Sequence, residues 1–187
     1  LHIACEKGLL SVVEKRVLYK CLDCLRDWID RGLVPESFFV EIALSEETLE
    51  ELDADEIKDM LSLRGLSPEN LLISSGDLEN LPRLAEKLFG LELAAECGSP
   101  CPDPGAMPAL RHINVWGLEE LEFQAPEIER FLENGISFLA KGIKSKRGFD
   151  AARELKFPLL CGPFFSRLEG REKFELFLTK YKEGIPL

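Results

Sequence analysis

The chain has 187 residues, 45% of them apolar and 30% charged, a balance that allows a full buried core and excludes a disordered chain. Its formal net charge of −11 sets the surface against phosphate backbones, so general nucleic-acid binding is disfavoured, and only the run Lys141 to Arg147 opposes that field. No apolar run reaches the roughly 18 to 20 residues of a bilayer span and the first residues do not read as a signal peptide, so the expectation is a soluble cytoplasmic protein with no membrane partner.

In chain order, the first element is a helix from about Leu9 to Arg31, where Leu10, Val13, Val17, Cys21, Cys24 and Trp28 recur at helical spacing. Gly32 and Pro35 close it. Ser37 to Leu44, rich in aromatic and β-branched residues, reads as a buried strand. Ser45 then caps an acidic helix from Glu46 to Leu52, and Asp53, with Glu56 three residues on, starts another that ends before Gly65.

Asn70 to Ser74 is a short apolar run followed by Ser75, Gly76 and Asp77, the pattern of a strand buried on both faces. A helix on Leu81, Leu84, Ala85 and Leu88 follows, stopped by Gly90, and Leu91 to Ala95 reads as the next strand. Such a βαβ unit implies parallel pairing with a right-handed crossover. Cys97 to Gly105, dense in Pro and Gly, marks a sub-boundary near residues 97–108 within a single domain 1–187, with a smaller lobe over 109–187.

His112 to Val115 resumes an extended pattern, and Pro126 opens a helix predicted from the stripe Ile128, Phe131, Leu132, Ile136 and Leu139. The tail offers a short helix near Phe149 to Lys156, an apolar run from Phe157 to Phe165 broken by Pro158 and Gly162, and a last helix with Phe174, Phe177, Leu178 and Tyr181 inward. The fold class expected is α/β: a mainly parallel sheet of about four or five strands with helices on both faces and a C-terminal helical layer.

Three places carry candidate chemistry. The turn Ser74, Ser75, Gly76 and Asp77 lies at the carboxyl edge of the predicted sheet, where its backbone N–H groups suit an anion and Asp77 suits a divalent cation. Asp53 and Asp55 add carboxylates, and His112 is a candidate general base. Cys21, Cys24, Cys97 and Cys101 together offer four thiolates for zinc or an iron–sulfur cluster, although a reduced, buried role for Cys21 and Cys24 in the first helix's stripe is the simpler reading.

Leu71 to Ala95 resembles the late strand–helix segment of PIN-domain nucleases, where a strand ends in an acidic turn and the helix continues as Ala85-Glu86-Lys87-Leu88 does here. That resemblance implies Asp77, with Glu79 beside it, as metal-binding acids. Each candidate also has a plain structural meaning: turn chemistry, a solvated helix face, or a core cysteine. The residues therefore favour a non-catalytic regulatory or protein-interaction domain with a protein partner, and they favour no particular cofactor while leaving a divalent cation or zinc open. The alternatives are a metal-dependent phosphohydrolase or PIN-like nuclease centred on Asp77 with Asp53 or Asp55, and a cysteine-ligated zinc or iron–sulfur protein.

Overall fold

The computed structural model describes residues 8–76, 80–97, 110–116, 125–165 and 169–183. Helix α1 (Leu10–Asp30) precedes strand β1 (Val40–Ala43), helices α2 (Glu46–Glu51) and α3 (Ala54–Ser62), and a single 3-10 turn, Pro68–Asn70. Strand β2 (Leu71–Ser75), helix α4 (Leu81–Lys87), β3 (Glu92–Cys97) and β4 (Leu110–Trp116) form the middle. Helix α5 (Ala125–Glu133), β5 (Ser137–Lys141), α6 (Lys146–Glu154), β6 (Leu159–Leu160) and α7 (Arg171–Lys182) complete the described chain.

The six strands lie side by side in chain order, β1 to β6, and each neighbouring pair is parallel. The expected parallel α/β sheet is present, with six strands where about four or five were read. β2 is buried at all five positions, as an interior parallel strand should be. The expected sub-boundary at 97–108 falls almost wholly outside the described residues; on either side of it β3 and β4 pair from Leu93 to Cys97 in the same sheet.

Local chemistry explains the element ends. The Ser45 side chain accepts from the Thr48 N–H at the start of α2, and Asp53 accepts from the N–H groups of Asp55 and Glu56 at the start of α3. One expectation is corrected: the stripe read as a single helix from Ile128 to Leu139 breaks at Gly135, whose φ of 75° takes the chain out of the helix. Ile136 then leads into β5, so Leu139 belongs to a strand.

The two faces of the sheet differ. Ile42, Ile73, Leu93, Ile113, Val115 and Phe138 share one core cluster with Leu22 of α1, Leu49 of α2, Ile57 of α3, Leu84 of α4, Phe131 of α5, Ala152 of α6 and Leu178 of α7. All seven described helices thus feed a single layer, where helices on both faces were expected, and Phe138 seats edge-on against Phe131 and Phe157 at 5.5 and 5.4 Å. Leu72 and Ala94, one residue out of phase on the strands, are buried but lie outside that cluster. Strands that advance in chain order with right-handed crossovers collect their helices on one side and leave the other face to curl on itself.

The ends of the described chain are tied together by charge. Trp28 Nε1 donates to Glu175 at 3.1 Å, Arg31 reaches the same carboxylate at 2.9 Å, and Arg171 reaches it at 2.6 Å. The bonds from Trp28 and Arg31 dock α7 on α1, Arg171 braces the carboxylate from within α7 itself, and together they hold the Glu175 carboxyl down at about 2, the Arg171 bond contributing most. No helix among the described residues is long and apolar enough to cross a membrane.

Candidate functional site

The helix-free face carries Glu41, Leu72, Ser74, Ala94, Glu96, His112, Asn114, Trp116 and Lys141, the residues that alternate with the core set along β1 to β5. Lys141 Nζ donates to Glu41 Oε1 at 2.6 Å, and Asn114 Nδ2 donates to the same oxygen at 2.5 Å. In a flat sheet β1 and β5 would stand roughly 19 Å apart, four spacings of about 4.8 Å, too far for these side chains to meet. Their contact shows that the sheet curls and that this face is its concave interior.

The concave face is polar at its centre and short of partners. The Glu41 and Lys141 side chains are 13% and 12% exposed, and Asn114 is fully buried. Asn114 Oδ1, Ser74 Oγ and His112 Nδ1 are buried with no hydrogen-bond partner among the described residues. An orphaned polar atom of this kind costs about 1 to 3 kcal/mol, so three on one face are a standing cost that a ligand or ordered water would offset. Burial lowers the pKa of His112, Arg111 assists, and the Glu41 charge opposes them. Its ring lies 5.5 Å from that of Phe39.

At the carboxyl edge the face opens beside an aromatic wall. Trp116, half exposed, donates from Nε1 to Glu96 at 3.1 Å, and the Lys141 ammonium stands 5.9 Å from its ring centre. Gly142 makes this possible, because a Cβ there would sit 2.9 Å from the Trp116 ring. After it the Ser145 side chain caps α6, whose first turn has no acidic residue. A separate cavity of about 760 Å³ opens at the opposite, amino edge, lined by Leu81, Pro82, Phe89 and Leu110. Its lining carries Glu69, Glu86 and Glu92 against Arg111, which itself pairs with Glu92, and that balance suits an anion poorly, so the concave face is the stronger site.

The predicted site residues are only partly brought together. Ser74 and His112 share the concave face, in one row of the sheet through Ala94. Ser75 points the other way and is buried, Gly76 is exposed at the strand end, and Asp77 and Glu79 lie outside the described residues. Asp53 caps α3 and Asp55 is an exposed residue of its first turn, 3.7 Å from Lys58. Cys21 and Cys24 are half-buried on α1 beside Trp28 and Phe174, and burial pushes the Cys21 thiol up. Cys97 ends β3, and Cys101 lies outside the described residues.

Among the described residues no group of three or more His, Cys, Asp or Glu side chains is placed to hold a metal ion. Sequence reasoning missed Glu41, Glu96, Asn114, Trp116 and Lys141. The signal available was alternation: in His112-Ile113-Asn114-Val115-Trp116 the polar and aromatic residues occupy every second place. Lys141 reads in sequence as part of a basic run, but it is the inward-pointing end of β5.

No protein-family model matches the chain, and the curated proteins contain no match. Solved structures do match. The PaMucR phosphodiesterase in complex with c-di-GMP superposes with a TM-score of 0.73 at 15% identity, over 92% of this chain and 77% of that one. The Xanthomonas citri FimX EAL domain in complex with c-di-GMP gives 0.72 at 14% identity, over 89% and 73%. Klebsiella pneumoniae BlrP1 in its manganese and c-di-GMP complex gives 0.63 at 16%, over 84% and 44%. These matches correct the expectation of a protein-interaction domain, and with it the PIN-like and cysteine–metal alternatives: the folds that superpose along most of the chain are EAL domains crystallised with a cyclic dinucleotide. At such identities the likeness is one of architecture, and the chain shares the fold of these EAL domains.

Proposed function

We propose that this chain is a cyclic-dinucleotide domain of the EAL phosphodiesterase type, which takes c-di-GMP or a close relative on the concave face at the carboxyl edge of its sheet. One observation carries the reading: the concave face holds a buried ammonium, Lys141, among three unpartnered polar atoms, in a fold whose solved examples bind this ligand class. The parts suit such a ligand. Lys141 meets a phosphate, the exposed Trp116 ring offers a stacking face to a base, and Asn114 Oδ1 and Ser74 Oγ serve its polar edge. The net charge of −11 selects against long polyanions, whereas a small ligand with two phosphates meets the local field of Lys141. A cytoplasmic setting belongs to this reading.

Hydrolysis of a phosphodiester needs a base that takes a proton from water in line with the leaving oxygen. Glu41 is committed to Lys141 and Asn114, and Glu96 to Trp116, so ligand binding is the step for which the described residues account. Nor do they fit a divalent cation such as the manganese of the BlrP1 complex. The Lys141 ammonium and the Asn114 amide already occupy the Glu41 oxygen to which such an ion would bind.

Calorimetric titration of the chain with c-di-GMP tests the proposal, with chromatographic separation of cyclic and linear dinucleotide after incubation as the separate test of hydrolysis. Saturable binding is expected, weakened roughly tenfold or more by Lys141→Ala, because a charge-assisted hydrogen bond to phosphate contributes about 1.5 to 3 kcal/mol. Absence of binding at about 1 mM ligand, near the weakest affinity such contacts would give, refutes it.

A further inference from the structure

We infer that Lys141 is the resident cation of the concave face: its ammonium fills the position on Glu41 that a divalent metal would need, so the face binds no metal and handles an anionic ligand without one. The exclusion of metal stands on the geometry alone, and only the clause about the ligand rests on the cyclic-dinucleotide reading.

A carboxylate oxygen offers two lone pairs, and Glu41 Oε1 has both engaged, one by Lys141 Nζ at 2.6 Å and one by Asn114 Nδ2 at 2.5 Å. A metal on Glu41 must either displace Lys141, whose side chain is 12% exposed, from Oε1 or bind the other oxygen of the same carboxylate beside that ammonium, and two cations at such spacing in a partly desolvated site repel strongly. The ammonium is also fixed from its far side. Trp116 stands 5.9 Å away by its ring centre, is held in turn by Glu96, and lies close over Gly142. A lysine tethered to β5 and seated between a carboxylate and an indole has no easy route out. Arg111, on the same strand as Asn114, adds a second positive charge near His112 and supplies no metal ligand.

The full chain titrated with Mn²⁺ alone tests the exclusion, read at the Trp116 indole N–H proton by paramagnetic broadening. No broadening is expected at equimolar Mn²⁺ in the native chain, whereas binding of the metal to surface acids leaves that proton sharp. Lys141→Gln frees the Glu41 carboxylate, so an at least tenfold gain in Mn²⁺ affinity with broadening at Trp116 is expected, and Glu41→Gln added to it should abolish the gain. Broadening of the native Trp116 signal at equimolar Mn²⁺ overturns the inference, and so does a folded Lys141→Gln chain that still ignores the metal. Where Lys141→Gln does not fold, the native spectrum decides. For the ligand clause, c-di-GMP affinity should be the same in excess EDTA as in Mn²⁺; binding that requires Mn²⁺ overturns the inference while leaving the cyclic-dinucleotide reading intact. Absence of c-di-GMP binding in both sinks that reading and leaves the metal titration to decide the exclusion.

Discussion

Removing one member of the Glu41–Lys141 pair should cost far more than a surface ion pair would. Both side chains are about seven-eighths buried, and Asn114, the other donor to Glu41 Oε1 among the described residues, is neutral. Breaking a buried pair leaves an uncompensated charge and costs about 3 to 5 kcal/mol. The slight exposure of this pair argues for the lower end, about 3 kcal/mol for Lys141→Met and a similar figure for Glu41→Gln. For a chain of this size each kcal/mol lowers Tm by about 2 to 4 °C, so each single variant should melt about 6 to 12 °C below the native chain. The double variant leaves no bare charge and should recover part of that loss, with a coupling energy of about 2 kcal/mol. Urea unfolding at pH 7 of all four proteins measures the cycle. Additivity within about 0.5 kcal/mol would refute the pairing and with it the curled geometry that brings β1 onto β5.

Asp53→Ala removes a helix cap and nothing more, so it should cost about 1 kcal/mol of stability and leave c-di-GMP affinity unchanged; a loss of binding with intact stability would return Asp53 to the site. His112 should titrate below the ordinary value of about 6.5, because its charged form is disfavoured by burial. Its contribution to stability is therefore complete above that value and lost as pH falls towards its folded midpoint. Glu41→Gln should push that midpoint lower still, since the Glu41 charge opposes the shift, and imidazole carbon-13 shifts followed between pH 7.5 and 4 measure both. Glu175, held at about 2, stabilises the docking of α7 on α1 fully above the unfolded carboxylate value of about 4.3 and loses it as pH falls towards 2. Trp28 fluorescence should report that release, and Glu175→Gln should abolish its pH dependence.

Most of the fold is legible in the sequence because local chemistry and tertiary packing agree there. Helix α1 forms where it was read, but the stripe it buries is Leu18, Leu22, Leu25 and Ile29, next to the expected one, in which Val13 and Val17 are exposed; the caps at Ser45 and Asp53 form as their residue types require. The strand–helix–strand unit from Leu71 to Cys97 pairs in parallel as read. The break at Gly135 was harder, because Ile136 and Leu139 continue a helical spacing by accident. What ends the helix is one residue with positive φ, and what makes β5 is its place between β4 and β6. Both are tertiary facts that outrank a local period.

The site is another matter, since its residues are distant in sequence and individually unremarkable in type. Glu41 sits 73 positions from Asn114 and 100 from Lys141, and nothing in the local pattern links them. Only curvature does, and curvature follows from the order of six strands, which a single βαβ unit cannot reveal. Reading the carboxyl edge as the ligand edge led to Ser74, which does face the interior, but the rule names an edge and is silent about which face is concave. The alternation in β4 held that information in part: Asn114 and His112 are polar residues at strand positions that a doubly covered sheet would bury against helices, where an unpaired polar atom is costly. A sheet with one polar buried face is better explained by closure around a ligand than by a second helical layer, and that inference needs only the five residues of one strand.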